Sequence, residues 1–362
     1  MRMKKAVLLF LLKYWKEHKL QKARKVALGW EAPNMKHLRL EKLTEQEMSE
    51  IERVWGRLGM KPYPLFYEMF KTIDSFNPLY LSDDLYYPLI VRTLNPDNYS
   101  KAFAHKGHLP MLFDGIRQPS LICLCNLGTL YDKGFNVIEQ EKALALLSKS
   151  ARFIIKPIMD SSCGKGVKLI KGGSPAEMQA AVSEYGDYWI AQEVVEQPEI
   201  TAQFNPTSLN SFRITTLFIN GRVTTQSIIF KVGASGSVVD NLGAGGLLVG
   251  VNSDGEFRDF AYNNKYKRFE RTPTGIQFKG VKIVEIPEMC RKMEQYHQRY
   301  FASMGIVGWD VALDKDMQSV VIEANLNFPG IQFEQLAIST PIFGDRTEEV
   351  VEYVLKHQNE YS

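Results

Sequence analysis

Two short apolar segments near the end of the chain, each interrupted by one acid, constrain its fold most. Gly308-Trp309-Asp310-Val311-Ala312-Leu313 sets Asp310 among apolar neighbours, and Val320-Val321-Ile322-Glu323-Ala324-Asn325 does the same with Glu323. Both read as buried strands, and the polar turn Asp314 to Gln318 between them makes them antiparallel neighbours. A carboxylate in a packed strand costs several kcal/mol unless it is paired or bound to a metal. Glu323 and Asn325 are two apart and so share a face. Two carboxylates and an amide gathered this way suit Mg²⁺, which takes oxygen ligands and shares its shell with nucleotide phosphates. On these residues alone, a structural network around a buried turn is the alternative.

The chain before them alternates helices and strands. Leu43 to Leu58 carries apolar residues at helical spacing, with Thr44 as N-cap and Glu47 as its capping-box partner. Ser174-Pro175-Ala176-Glu177 is a second helix start, and Glu139 to Ser150, Pro287 to Met304 and Thr347 to His357 read as further helices. Strands are predicted at Ser120 to Cys125, Phe153 to Lys156, Val167 to Ile170 and Trp189 to Val195. Phe212 to Ile219 and Val223 to Val232 form a hairpin across Asn220-Gly221. Prominent hairpins mixed with helices favour an α+β architecture over a doubly wound parallel sheet.

Two more elements carry polar chemistry. Lys156 ends an apolar strand, and Asp160-Ser161-Ser162-Cys163-Gly164-Lys165-Gly166 follows it. Glycines at Gly164 and Gly166 let backbone N–H groups approach phosphate oxygens, although neither a P-loop nor a dinucleotide fingerprint is present. A Gly-rich hairpin is the commoner explanation for such a loop alone. Further on, Trp189 to Val195 gives way to Glu196-Gln197-Pro198-Glu199, a polar stretch of the kind that hinges two lobes.

Composition adds bounds. In 362 residues the formal net charge is only +3, so nothing calls for a nucleic-acid partner. The basic excess clusters in Lys4, Lys5, Lys13, Lys16, Lys19, Lys22, Arg24 and Lys25. A solvated helix face explains it, and weak peripheral attraction to an anionic membrane is the sharper reading. The apolar run Ala6 to Leu12 is too short to span a bilayer and reads as an amphipathic helix. Cys123, Cys125, Cys163 and Cys290 form no metal-ligand pattern and are expected to be free thiols in a cytoplasmic protein.

Taken in order, a lysine strand, a glycine loop, an acidic hinge and paired acid strands ending in Glu-x-Asn resemble the ATP-grasp superfamily. The closer likeness is to its sugar-transfer-associated branch, from about Asn98 to about Pro341. Its most specific stretches are Ser208-Leu209-Asn210-Ser211-Phe212-Arg213, Val239-Asp240-Asn241-Leu242-Gly243-Ala244-Gly245-Gly246, Gly308-Trp309-Asp310 and Ile322-Glu323-Ala324-Asn325.

The resemblance implies an ATP-grasp fold: two α+β lobes clasping ATP, residues 98–205 and 206–362, after a mostly helical region 1–97. It implies nucleotide contacts from Lys101, Lys156, Gly164, Gly166, Gln192, Glu193, Val194 and Val195, with Glu199 on the ribose. Arg213 would stabilise the transferring phosphoryl group, beside Lys231 and Asn241, and Asp310, Glu323 and Asn325 would hold Mg²⁺. Lys231 stands where the branch often has arginine, and Thr272-Pro273 where it often has His-Pro. The glycines Gly243 to Gly246, flanked by Leu242, Leu247 and Leu248, are expected to form a mobile cover. A structural ion pair is the alternative for Arg213, a flexible surface loop for Asn241 and its glycines. The activity implied is ligation of a small-molecule or saccharide-linked acid and amine at the expense of ATP. A phosphotransferase and a non-catalytic nucleotide binder are the alternatives.

Overall fold

The chain is described by a computed structural model over residues 18, 20–29, 32–103, 105–159, 164–327 and 329–358. Strand pairing divides it into two antiparallel sheets. The smaller contains β1 (Leu121–Asn126), β2 (Thr129–Asp132), β3 (Arg152–Pro157), β4 (Lys168–Lys171) and β5 (Tyr188–Glu193), in the order β2-β1-β5-β3-β4. The larger contains β6 (Ser211–Ile219), β7 (Arg222–Val232), β8 (Leu247–Val251), β9 (Phe257–Tyr262), β10 (Arg268–Phe269), β11 (Ile306–Leu313) and β12 (Ser319–Asn325), in the order β10-β9-β8-β7-β6-β11-β12. Helices and antiparallel sheets together make the α+β architecture expected.

Local signals account for many boundaries. Thr44 and Glu47 form a reciprocal capping box on α1 (Glu45–Trp55), as the spacing predicts. Helix α2 is Pro64–Ile73, and α3 is Gln140–Lys149. Ser174 and Glu177 cap α4 (Pro175–Ser183) in the same way. Asn220 and Gly221 both take positive φ, 51° and 75°, which gives the tight β6–β7 turn the twist its strands require.

Each sheet buries one face under helices. In the smaller sheet Cys123, Cys125, Phe153, Ile155 and Trp189 pack with Leu147 of α3 and Met178 of α4. Cys123, Cys125 and Cys290 are free thiols, and burial pushes Cys123 up to about 12, which makes it inert. In the larger sheet Phe212, Phe230, Trp309 and Val311 pack with Met289 and Met293 of α5 (Ile286–Tyr300). The opposite face carries α6 (Gln332–Ile338).

The N-terminal helices are not a separate unit. Ile51, Trp55, Phe66 and Phe70 share one core with Leu217, Ile219 and Ile306 of the larger sheet and with Val350 and Val354 of α7 (Thr347–His357). Residues 98–118, expected to open the first lobe, also pack on the larger sheet. Phe103 and Phe113 sit 5.9 and 4.8 Å from the Phe301 ring, and Phe113 shares a core with Phe212 and Trp309 of that sheet. Arg24 departs from a solvated face as well: its guanidinium lies 2.9 Å from buried Asp84. Lys4 to Lys16, Lys19 and the run Ala6 to Leu12 lie outside the described residues. No described helix is long and apolar enough to cross a membrane.

One buried chain of hydrogen bonds ties α5 to the sheet. Trp309 Nε1 donates to Thr216 Oγ1 at 2.9 Å, Thr216 Oγ1 and His297 Nδ1 are 2.7 Å apart, and His297 Nε2 meets Met304 O at 2.9 Å. Burial lowers His297 to about 4. The unfolded chain then binds the extra proton between about pH 6.5 and 4, so stability falls as pH drops through that window. We expect a loss of up to roughly 3 kcal/mol from this residue. Denaturant titrations at pH 7 and pH 4.5 measure it, and His297→Gln should show the smaller decline.

Candidate active site

The site is built from a row of side chains across three strands. Arg213 of β6 is in register with Asp310 of β11, and Asp310 with Glu323 of β12. Register partners point to the same face, which is the face opposite α5. A register shift beside Asp310 brings Glu323 opposite it, and Gly308 pairs with Asn325. Gly308 is required here: a Cβ would meet Pro329 at 3.2 Å and the Arg213 side chain at 3.4 Å. The arginine lies across that bare backbone.

Arg213 grips Asp310 in a fork, Nε to Oδ1 at 2.8 Å and Nη2 to Oδ2 at 3.2 Å. Lys231, in register with Ser211 on β7, reaches the same Oδ1 at 3.1 Å and Asp240 at 3.4 Å. Asp240 is held from below by the Ser211 N–H and hydroxyl. Burial alone would push Asp310 up, but Arg213 and Lys231 overcome it and hold the carboxyl far below the usual range. Burial works against the charge on Arg213 and Lys231 too, and their carboxylate neighbours outweigh it. Asn325 Nδ2 donates to Gly308 O at 3.1 Å and to Asp310 Oδ2 at 3.3 Å, which fixes the amide beside the carboxylate.

The smaller sheet contributes from across the cleft. Lys156 on β3 is in register with Ile190, on the face left open by α3 and α4. The backbone N–H of Lys106 bonds Ile158 O at the end of β3, and its ammonium lies 3.4 Å from Glu323 Oε1. Lys106 therefore links one sheet to the other. Desolvation, with Lys106 nearby, lowers Lys156 to about 8, while Glu323 and Asp310 oppose the shift. Gly164 and Gly166 take φ of 69° and 77°, and a Cβ at Gly164 would press on Val239 at 3.1 Å. The glycine loop thus closes onto the loop that carries Asp240. Asp160 to Cys163 lie outside the described residues.

A family model described as sugar-transfer associated ATP-grasp matches residues 90–351. The chain belongs to that family. No curated protein matches it in sequence. Among solved structures it is similar to L-amino acid ligase from Bacillus licheniformis, with 15% identity over 71% of this chain and 48% of that one, at a TM-score of 0.41. It is similar to D-alanyl-alanine synthetase A from Vibrio cholerae, with 11% identity over 70% and 65% of the two chains and a TM-score of 0.42. D-cycloserine synthetase DcsG gives 13% identity, 74% of each chain and 0.44. The chain spans about half of the first of these and under two thirds of the second.

Of the residues expected in the site, the structure brings Lys156, Arg213, Lys231, Asp310, Glu323 and Asn325 near one another, whereas the segment 192–199 makes its own local contacts. Gln192 ends in a bond from its amide to Pro119 O at 3.1 Å, Glu193 closes β5 with its N–H on Ser120 O at 2.9 Å, and Val194 and Val195 lead out half-buried. Gln197 then pins the hinge: its amide donates to Ser208 O at 2.7 Å and its oxygen accepts from Asn210 at 3.0 Å. Glu199 is exposed at the start of the short helix Glu199–Ala202.

Two expected residues are not in the site. Lys101 is on the exposed face of the helix Asp97–Phe103, 3.0 Å from Asp97, because one helical turn places the two together. Lys106, not Lys101, is the lysine that lies beside Glu323. Asn241 spends its side-chain oxygen on the Gly243 N–H at 2.7 Å, capping a single turn, and its neighbour Asp240 is the residue that faces Lys231. Of the glycines after it, Gly243 and Gly245 are exposed, while Gly246 is buried, and a Cβ there would collide with Val232 O at 2.7 Å. Leu247 and Leu248 are buried in β8, so they belong to the core and not to a cover. Thr272 is buried and bonds Thr274 within its own turn.

Among the described residues no cluster of three or more His, Cys, Asp or Glu forms a ready cage for a metal. Mg²⁺ shared with phosphates needs only one or two carboxylates, and Asp310, Glu323 and the Asn325 amide oxygen offer hard oxygen donors on one face.

Two lysines on the β3 side of the cleft, Lys156 and Lys106, set the expected nucleotide affinity. Lys156→Ala and Lys106→Ala should each weaken ATP binding by about tenfold through loss of a nearby positive charge, and Lys101→Ala should leave it unchanged. The wild type should also lose affinity as pH rises through about 8, where Lys156 sheds its proton, while Lys156→Arg should not. Calorimetric titration with ATP across that range measures both; equal affinity in all three alanine variants would contradict the placement.

Proposed function

We propose that the protein is an ATP-dependent ligase that converts a carboxylate to an acylphosphate for attack by an amine or similar nucleophile. The observation that carries this is the interleaving in one cleft of Lys106, Lys156, Arg213 and Lys231 with Asp310 and Glu323. Phosphoryl transfer needs little covalent chemistry from a protein and much positioning of positive charge. Lys106 and Lys156 are placed to hold the phosphate chain. Arg213 is placed beside the metal carboxylates, where its planar fork meets the phosphoryl group in flight and stays charged. Mg²⁺, held by Asp310, Glu323 and Asn325, would neutralise charge on the phosphates. A carboxylate oxygen attacks the γ-phosphorus and ADP leaves. The nucleophile then attacks the acyl carbon, loses its proton, and phosphate departs with one oxygen of the acid.

The approach of the Gly164 loop to Val239, beside Asp240, supports this reading further, because an acylphosphate must be kept from water. The family's association with sugar transfer supports a saccharide-linked acid or amine as the substrate class. Mass spectrometry of products after incubation with ATP and paired acids and amines tests the reading. An amide or ester with ADP and phosphate in equal amounts is expected. A phosphorylated final product, or AMP and pyrophosphate, would overturn it.

A further inference from the structure

Every cation around Asp310 has a second carboxylate behind it. Arg213 Nη1 lies 3.6 Å from Glu334 Oε1, and Lys231 lies 3.4 Å from Asp240 Oδ1. Both reserve carboxylates are fixed by their other oxygen. Glu334 Oε2 accepts from Thr215 at 2.7 Å and from Ser227, both on the Arg213 face of the sheet, and Asp240 Oδ2 accepts from Ser211. Glu334 is only 4% exposed, and its Oε1 has no hydrogen-bond partner. A buried carboxylate oxygen left without a donor is costly, and Arg213 Nη1, which takes no part in the fork on Asp310, lies 3.6 Å from it.

We propose that Glu334 and Asp240 are positioning residues that receive Arg213 and Lys231 when Asp310 turns to Mg²⁺. The proposal rests on the reading of Asp310 as a metal ligand. A carboxylate that is gripped by a guanidinium and an ammonium meets a divalent cation poorly, since three like charges would crowd two oxygens. Movements of under about an ångström bring the arginine onto Glu334 and the lysine onto Asp240, and each such step draws a cation away from Asp310 and eases that conflict. Both cations then stay beside the phosphates. Without the reserve carboxylates they would remain on Asp310 and compete with the metal. Glu334 carries no other task visible in the fold beyond its two hydroxyl partners, and α6 places it under the arginine.

The test is calorimetric titration of Mg²⁺ into full-length protein saturated with a non-hydrolysable ATP analogue. Nucleotide affinity without Mg²⁺ is measured in parallel. Glu334→Gln keeps the size and the hydroxyl contacts but removes the charge. It should weaken Mg²⁺ binding by about tenfold and leave metal-free nucleotide binding unchanged or tighter. Asp240→Asn, on a half-buried loop where folding is less at stake, should do the same through Lys231. A general disruption of the site would weaken both measurements together, which would overturn the proposal, as would wild-type Mg²⁺ affinity in both variants. Should the wild type itself bind the analogue with no dependence on Mg²⁺, the metal site fails and this proposal with it.

Discussion

Glu323→Gln should lower turnover by on the order of a hundredfold or more while the protein stays folded. The change removes one charge and almost no volume. Glu323 is partly exposed at the mouth of the cleft, so its loss leaves no buried vacancy. It lies opposite Asp310 in the register of β11 and β12, and in the proposed site the two would supply the charged oxygens for the metal. A second effect runs through Lys106, whose ammonium sits 3.4 Å away and would lose its partner. Steady-state rates at several Mg²⁺ concentrations measure the outcome, with circular dichroism as the check on folding. Full activity at moderate Mg²⁺ would rule out Glu323 as a ligand.

Arg213→Lys should be as severe, on the order of a thousandfold in kcat, although the positive charge is kept. Lysine cannot reproduce the two parallel bonds that Arg213 makes to Asp310, nor reach Glu334 at the same time. A point charge on a flexible stem also cannot follow the equatorial oxygens of a phosphoryl group. ATP affinity should change only a few-fold, because in the proposed site Lys106 and Lys156 would hold the nucleotide from across the cleft. A variant that loses ATP binding and keeps its rate at saturation would reverse these roles.

The paired acid strands were legible because a carboxylate in an apolar strand is costly and stands out against its neighbours. The Asn220-Gly221 turn and both capping boxes were legible because they are local chemistry. What lay beyond the sequence was long-range. Lys101 and Lys106 are both lysines near a short helix, and what tells them apart is long-range: Lys106 N–H bonds Ile158 O and its ammonium faces Glu323. Asp240 and Asn241 sit side by side in one motif, and the direction each points depends on the backbone of the loop. Glu334 left no signal at all, since an acid on an amphipathic helix is ordinary until the helix is placed over Arg213. The same holds for the shared core of the N-terminal helices with α7, which joins residues almost 300 apart. Gly243 to Gly246 read as a mobile cover because glycine implies freedom, whereas Gly246 itself is set by close approach to Val232.

Oxygen-18 tracing tests the chemistry most directly. The acid substrate is labelled in its carboxylate, and the inorganic phosphate released during ligation is analysed by mass spectrometry. Activation as an acylphosphate in the Arg213–Asp310–Glu323 cleft predicts one labelled oxygen in each phosphate formed, dependent on both the acid and the nucleophile. Unlabelled phosphate, or label appearing in AMP, would contradict it.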